Sequence, residues 1–557
     1  MVLAWVLLAG IASAQITPES RDRTYQQAAP DRFERRFEQP ETPKSTVIPV
    51  QPDTLKPVFP PGLKDVKFVL KSLIIKGTTV YTKRQFTPMF RRLLNREVSL
   101  EHIYRVANII TRKYRNDGYI LSRAVVPPQK IENGVVRIEI VEGYIDKVNI
   151  QGKVRGPREL LNAYRRNILA SKPLHSKDLE RYLLLIDDLP GVTAKSVLTP
   201  SENQPGATDL SIILDNKPFE ASAGTDNRGT EFNGPMQVFG GVATNSLFGG
   251  YEKTGVQTVF TSDPDELFYF NAYHEMPLSS EGTKLTLSGS VSKSKPGDVL
   301  KDFEVEGDSS MFQFKLEHPF IRSRGENLTG YFSFTHRNSQ TDILGTKDSE
   351  DRLRIMKLGA SYDFADRYLG VNVMNFNIHR GLNIFDATET GTENLSREKG
   401  VSDFTKLSGE FFRLQQLAPS WMLLGAVSWQ YTFNKLLSSE EFGVGGSSFG
   451  RGFDPSEITG DQGLAFKLEL QKAFKINKTY LRDLQLYTFF DYGSVWNRIE
   501  TTTRDNREGR YSTGFGARLN VTDQISGFVE LAKPMADRVA AEGNRDPRVF
   551  FGLSARY

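Results

Sequence analysis

The order of apolar and polar residues divides the chain in two. From Phe68 to Leu214 strand-like runs alternate with helical spacing, and beyond Lys217 apolar residues recur at every second position. The first region opens on Phe68 to Gly77, read as a strand ending in glycine. Helices follow over Arg84 to Leu94 and Leu100 to Tyr114. In the second helix Ile103, Val106, Ala107, Ile110 and Tyr114 share one face, with Ser99 at the N-cap. Asp117-Gly118 ends it, and two β-rich runs, Ser122 to Val126 and Val135 to Val141, close the unit. The order β-α-α-β-β then repeats, with a strand at Ile145 to Ile150, helices at Arg158 to Leu169 and Lys177 to Asp188, and strands at Ala194 to Thr199 and Asp209 to Leu214. A repeat of about 75 residues predicts two α+β modules in series, 63–142 and 143–217.

The second region, 218–557, reads as β throughout. Leu285, Leu287, Gly289 and Val291 alternate with Lys284, Thr286, Ser288 and Ser290, and Phe312, Phe314 and Leu316 with Gln313, Lys315 and Glu317. The same period runs through Leu328 to Phe334, Trp421 to Phe433, Leu464 to Leu470 and Phe551 to Tyr557. Polar stretches separate the runs, two long ones spanning Ser292 to Asp308 and Ile384 to Asp403. Short turns alternating with long loops are the grammar of a membrane barrel, and sixteen strands would have about 21 residues each with their connections. A water-soluble sandwich or propeller is the competing architecture. Tyrosines and tryptophans near strand ends, and a chain ending on an aromatic residue, favour the barrel.

Composition narrows the class. The 557 residues carry 71 Lys+Arg against 67 Asp+Glu, a net charge of +4, and no cysteine. A disulfide-stapled scaffold is excluded, and no charge block suited to nucleic acid is present. Past the first residues no run of about 18 apolar residues occurs, which excludes a bundle of spanning helices. A mean hydropathy of −0.39 remains compatible with alternating barrel strands. Val2 to Ile11 form a short apolar stretch before Ala12-Ser13-Ala14, so 1–14 is expected to be a signal peptide cleaved before Gln15. Residues 15–62 are rich in proline and charge, as expected of a linker. Within it, Pro30 and Pro40 bracket one short helix candidate with Phe33 and Phe37 on one face; a docking helix and a solvated spacer both fit.

Little in the sequence carries chemistry. The histidines His102, His175, His274, His318, His336 and His379 are scattered without metal-ligand spacing, so no metal or cofactor is expected. Gly443 to Arg451 is glycine-rich but lacks the ending of a phosphate loop, and no Gly-x-Ser-x-Gly element occurs, so neither a nucleotide nor an enzymatic reaction is expected. One pair stands apart. Gly450-Arg451-Gly452-Phe453-Asp454-Pro455 sits in a long loop, and Phe489-Phe490-Asp491-Tyr492-Gly493 on a strand. If Leu486, Thr488, Phe490 and Tyr492 face lipid, then Tyr487, Phe489, Asp491 and Gly493 face the lumen. A lumen carboxylate seeks a cation, and Arg451 has the forked geometry to supply it. Spacing alone leaves open whether Arg451 does so or lies on a solvated loop.

At these motifs the chain resembles, over nearly its whole length, the transporters of two-partner secretion (TpsB), the ShlB/FhaC/HecB family of the BamA-like superfamily. The motifs that carry the resemblance are GYILSRAVVPPQKIENGVVRIEIVEG (Gly118 to Gly143), LPGV (Leu189 to Val192), DNRGT (Asp226 to Thr230), GRGFDPSEITGDQG (Gly450 to Gly463) and FFDYG (Phe489 to Gly493). The resemblance implies a signal peptide, a plug helix and linker, two POTRA modules in the periplasm and a 16-stranded antiparallel barrel in the outer membrane of a Gram-negative bacterium. It also implies a sixth loop, around 440–462, folded back into the lumen, where Arg451 pairs with Asp491. Phe489 and Gly493 would flank that partner on the wall, and Phe551, Leu553 and Tyr557 would form a C-terminal signal for the barrel assembly machinery. The family's loop motif is commonly Val-Arg-Gly-Tyr; here it reads Gly450-Arg451-Gly452-Phe453, which loses a hydroxyl. No residues in 15–39 match the plug helix.

The implied function is export of an unfolded, adhesin- or haemolysin-like partner with an amino-terminal secretion domain. POTRA modules would capture it and the barrel would conduct it, with activation of the partner permitted. The implied surroundings are outer-membrane lipid, with no nucleic acid and no nucleotide. A BamA-like assembly factor is the alternative, although that branch usually carries more than two POTRA modules. A passive porin would carry none, and an enzyme or a soluble adhesin ranks lower still.

Overall fold

In the computed structural model, which describes residues 61–557 apart from 203, 205, 479 and 499–506, the two periodicities separate into two kinds of structure. The expected signal peptide and the helix candidate of the linker lie outside the described residues. The first module comprises β1 (Lys67–Val69), β2 (Ser72–Lys76), α1 (Lys83–Phe90), β3 (Glu97–Ser99), α2 (Leu100–Asn116), β4 (Arg123–Val125) and β5 (Val135–Val141). The second comprises β6 (Tyr144–Gly152), α3 (Arg158–Ala170), α4 (Ser176–Asp187), β7 (Val192–Pro200) and β8 (Ala207–Asn216). Each module has a three-stranded sheet, ordered β2-β5-β4 and β6-β8-β7, in which the first pair is parallel and the second antiparallel.

The helices cover one face of each sheet. In the first module Leu73, Ile75, Val136, Ile138 and Ile140 pack with Ile103, Val106, Ile110 and Tyr114; in the second Val148, Leu210, Ile212 and Leu214 pack with Leu161, Tyr164, Ile168 and Ile186. Each such side chain contributes about 1.5–3 kcal/mol on burial, which is what holds modules this small together. Two expectations need correction. The strand expected over Phe68 to Gly77 is two strands that break at the buried Leu70, and β1 pairs with β3 rather than continuing the sheet. The helix expected to reach Leu94 stops at Phe90, two residues after Pro88, and continues as a single 3-10 turn over Arg91–Leu93.

Beyond Lys217, sixteen strands among the described residues, from Phe219–Asp226 to Arg548–Arg556, run antiparallel and close into a barrel. Strand Gln462–Lys478 shows how alternation builds the wall. Leu464, Phe466 and Leu468 are exposed on the outside, while Ala465, Glu469 and Gln471 are buried inside. Several strands outrun the apolar pattern. Lys284–Ser294 and Glu306–Arg322 enter the stretch read as a loop at Ser292 to Asp308, and Leu328 to Phe334 is the middle of Glu326–Ile343. Their ends carry polar residues on both faces, so pairing continues where alternation has stopped. The seam is short. First and last strands pair over Ser222 to Asp226, and Tyr557 extends the contact through backbone bonds to Ala221.

The second module docks on the end of the barrel with short turns. Tyr251, from the first short turn, is buried in the module's core. Arg322 forks onto Asp188 at the end of α4, with Nε and Nη2 at 2.7 and 2.9 Å from the two carboxylate oxygens. Gly191 of the LPGV motif adopts φ +69°, and a Cβ there would lie 2.4 Å from the Lys217 carbonyl, so only glycine lets the hinge into the barrel lie flush.

Candidate functional site

The long connection between strands Trp421–Thr432 and Gln462–Lys478 folds back into the barrel as a hairpin, Phe442–Val444 paired with Ile458–Gly460. Its apolar base, Val444 and Ile458, packs against Ala465 and Val495 of the wall. Gly493 makes this approach feasible, because a Cβ there would sit 2.4 Å from Val444 Cγ1. At the hairpin's tip Gly450 takes φ +92°, and Phe453 is buried and donates its backbone N–H to the Gly450 carbonyl at 2.9 Å. The tip is thus a folded turn that aims one side chain at the wall.

That side chain is Arg451. It is 4% exposed, and its Nε and Nη2 donate to the two oxygens of Asp491 at 2.9 and 2.8 Å. Its backbone N–H donates to the same carboxylate at 3.0 Å. Nη1 donates to Glu469 and lies 3.6 Å from Glu530, and the guanidinium stacks 3.6 Å from the centre of the Phe489 ring. Gly452 donates its N–H to Ser512 Oγ at 3.2 Å, and Arg548 holds the tip from the other side through Asp454 at 2.7 Å.

Sequence reasoning identified Arg451, Phe489, Asp491 and Gly493, and the fold brings them together. It missed the rest of the charge cluster. Glu469 also accepts from Arg518 at 2.7 Å, and Glu530 accepts from Arg228 at 2.7 Å and from the Tyr487 hydroxyl at 2.8 Å. Three buried carboxylates from three strands thus face three arginines. A signal was available: Glu469 and Glu530 each stand between outward apolar residues, so alternation turns them inward, and an inward charge shielded from water must be paired. Nothing in one strand reveals which partner lies across the lumen. The C-terminal candidates Phe551, Leu553 and Tyr557 lie apart from this cluster, all exposed on the outer face.

Comparison with known proteins accords with this architecture. Residues 206–520 match the family described as haemolysin secretion/activation protein ShlB/FhaC/HecB, and residues 68–143 match the ShlB-type POTRA domain. The heme/hemopexin transporter HuxB of Haemophilus influenzae (strain 86-028NP) is 23% identical over 86% of this chain and 85% of its own. The outer membrane transporter CdiB of Dickeya dadantii is 26% identical over 72% of each chain. Among solved structures, CdiB from Escherichia coli superposes with a TM-score of 0.75 at 20% identity, covering 98% of this chain and all of that one. BamA from Haemophilus ducreyi is a more distant likeness, with a TM-score of 0.51 at 12% identity over 88% of this chain and all of that one.

Proposed function

The chain belongs to the haemolysin secretion/activation family ShlB/FhaC/HecB, and on that premise we propose that Arg451 latches the sixth loop inside the pore of an outer-membrane exporter. The family's members are two-partner secretion transporters rather than enzymes, with POTRA modules in the periplasm and a barrel in the outer membrane. The assembly-factor alternative is left with a distant likeness of fold.

The observation that carries the latch is the fork from Arg451 to Asp491 in a buried lumen. Removing one partner of a buried pair leaves its neighbour charged and unmatched, at a cost of about 3–5 kcal/mol. Three carboxylates surround Arg451, and its removal leaves Asp491 without the cation that forks onto it. A loop held at its tip shapes the passage and has a second position available once the fork parts, which suits a conduit that opens when cargo arrives.

The partner is an unfolded, adhesin- or haemolysin-like polypeptide captured by the modules. Strand β7 supports capture by strand addition. Among the described residues β7 pairs only with β8, and Lys195 through Pro200 are exposed, Val197 and Leu198 among them. Phe551, Leu553 and Tyr557 serve two further partners: as outward apolar groups on the closing strand they meet lipid, and during biogenesis they mark the chain for the barrel assembly machinery. The test of the latch is Arg451→Ala. We expect a normally inserted, heat-modifiable barrel that exports little or none of its partner; wild-type export by this variant removes the latch from the mechanism.

A further inference from the structure

A second buried charge cluster lies at the barrel's far end, about 20 Å from the first, given that Asp461 precedes Lys467, the cross-strand neighbour of Asp491, by six residues along its strand. Its centre is Arg397, in the fifth loop at that end, between strands Gly370–Gly381 and Thr405–Ala418. Arg397 Nη1 donates to Asp461 Oδ1 at 2.7 Å and to the Leu436 carbonyl at 2.7 Å, and lies 2.9 Å from Glu441; Nη2 donates to Asn497 Oδ1 at 3.0 Å. Asp461 is fully buried, and its oxygens also accept the backbone N–H groups of Leu436 at 2.8 Å and Arg498 at 3.0 Å. One arginine and one carboxylate therefore tie together the fifth loop, both arms of the sixth and the start of the seventh, which follows strand Leu481–Trp496.

The surroundings are built rather than incidental. Next to the cluster, Glu440 bridges Arg337 at 2.9 Å and Lys406 at 2.8 Å. Leu395 and Phe404 of the fifth loop and Leu436 and Leu437 of the sixth pack with Leu353 and Ile355 into a small apolar core. Loops that only waited in water would expose such residues; here they are folded around them. The Arg451 site holds the tip of the sixth loop, and this one holds its stem.

We propose that Arg397 is a positioning residue that locks the outer mouth by pinning the stem of the sixth loop to the fifth and seventh, and that this lock parts when a chain is exported. The proposal extends the reading of Arg451 as the tip latch, and its failure is separable from the failure of that reading. Ser396 and Ser438 face each other across the junction, with the Ser438 N–H donating to Ser396 Oγ at 3.0 Å. The chain has no cysteine, so Ser396→Cys with Ser438→Cys supplies the only thiols. We expect the oxidised pair, verified by gel mobility, to block export and a reductant to restore it. Wild-type export by the cross-linked transporter overturns the proposal, and a pair that fails to cross-link overturns the placement of the loops. A second variant reads the lock at rest. Arg397→Ala should keep a heat-modifiable barrel yet admit, several-fold faster, a bulky antibiotic that the outer membrane excludes, with Arg397→Lys intermediate. Unchanged exclusion by Arg397→Ala also overturns it. Export by Arg451→Ala, by contrast, removes the tip latch and leaves the cross-link result standing.

Discussion

The modules and the barrel solve burial in opposite ways. Inside each module the buried positions are aliphatic and aromatic, as with Ile103, Ile110 and Ile138, and charges stay at the surface. Inside the barrel the buried positions include Arg451, Glu469, Asp491 and Glu530, while Leu468, Phe515 and Leu553 face outward. The solvent explains the inversion. A module in water gains by hiding apolar area, whereas a wall in lipid gains by exposing it and must then fill its lumen with polar groups that satisfy one another. The modules are accordingly held by area, and the barrel interior by matched charge.

The largest predicted effect comes from importing the barrel's solution into a module. Ile138 is fully buried in the first sheet, in a cluster of aliphatic and aromatic side chains. Ile138→Asp places an unpaired carboxylate there, at a cost above about 5 kcal/mol. We expect the first module to lose its resistance to protease while the barrel still inserts, and export to disappear. A protease-resistant module in that variant breaks the comparison.

The converse substitution is milder and sharper. Glu530→Leu imports the module's solution into the lumen and leaves Arg228 and Tyr487 without the carboxylate they share. The heat-modifiable transition should fall by the equivalent of about 3–5 kcal/mol. Adding Arg228→Leu should then recover most of the loss, because an apolar pair replaces an ion pair at little cost. If the double variant is no more stable than Glu530→Leu alone, matched charge is not what holds this part of the lumen.

The same contrast explains what the sequence made legible. The module helices were visible because a water-facing helix must alternate its faces, and Ile103, Val106 and Ile110 record that. Barrel strands were visible only where both faces differ, so the polar ends of Lys284–Ser294 and Glu306–Arg322 passed for loop. Alternation turned Asp491 toward the lumen and made Arg451 its candidate partner, and motif resemblance then settled the expectation that they pair. Glu469, Glu530, Arg518 and Arg228 were not found, because a lumen charge looks the same in one strand whatever it meets across the pore. The Arg397 cluster is less legible still, since its members come from three loops without periodicity. Asp188 and Arg322 stand 134 residues apart, and only docking of the second module on the barrel end brings them together.

The smallest effect tests whether the modules are free of the barrel's strategy altogether. Glu142, at the end of the first module's sheet, is the exception: it accepts the N–H groups of Thr79 at 2.8 Å and Val80 at 3.1 Å and the Tyr114 hydroxyl at 2.7 Å. Burial pushes this carboxyl up, but the bonds from Thr79, Tyr114 and the backbone outweigh it and hold the group below its ordinary value. A folded value below the unfolded one adds stability above the ordinary carboxylate range, and that stability is lost as pH falls through the folded value. Because the site is partly exposed, solvent screens the interaction and keeps the gain small. Hydrogen exchange at Thr79 and Val80 in the intact transporter should therefore show protection that weakens on acidification relative to Glu142→Gln, in which protection is lower at neutral pH and flat below it. Equal acid sensitivity in the two proteins would mean that this carboxylate contributes nothing as a charge, and that the first module is held by apolar area alone.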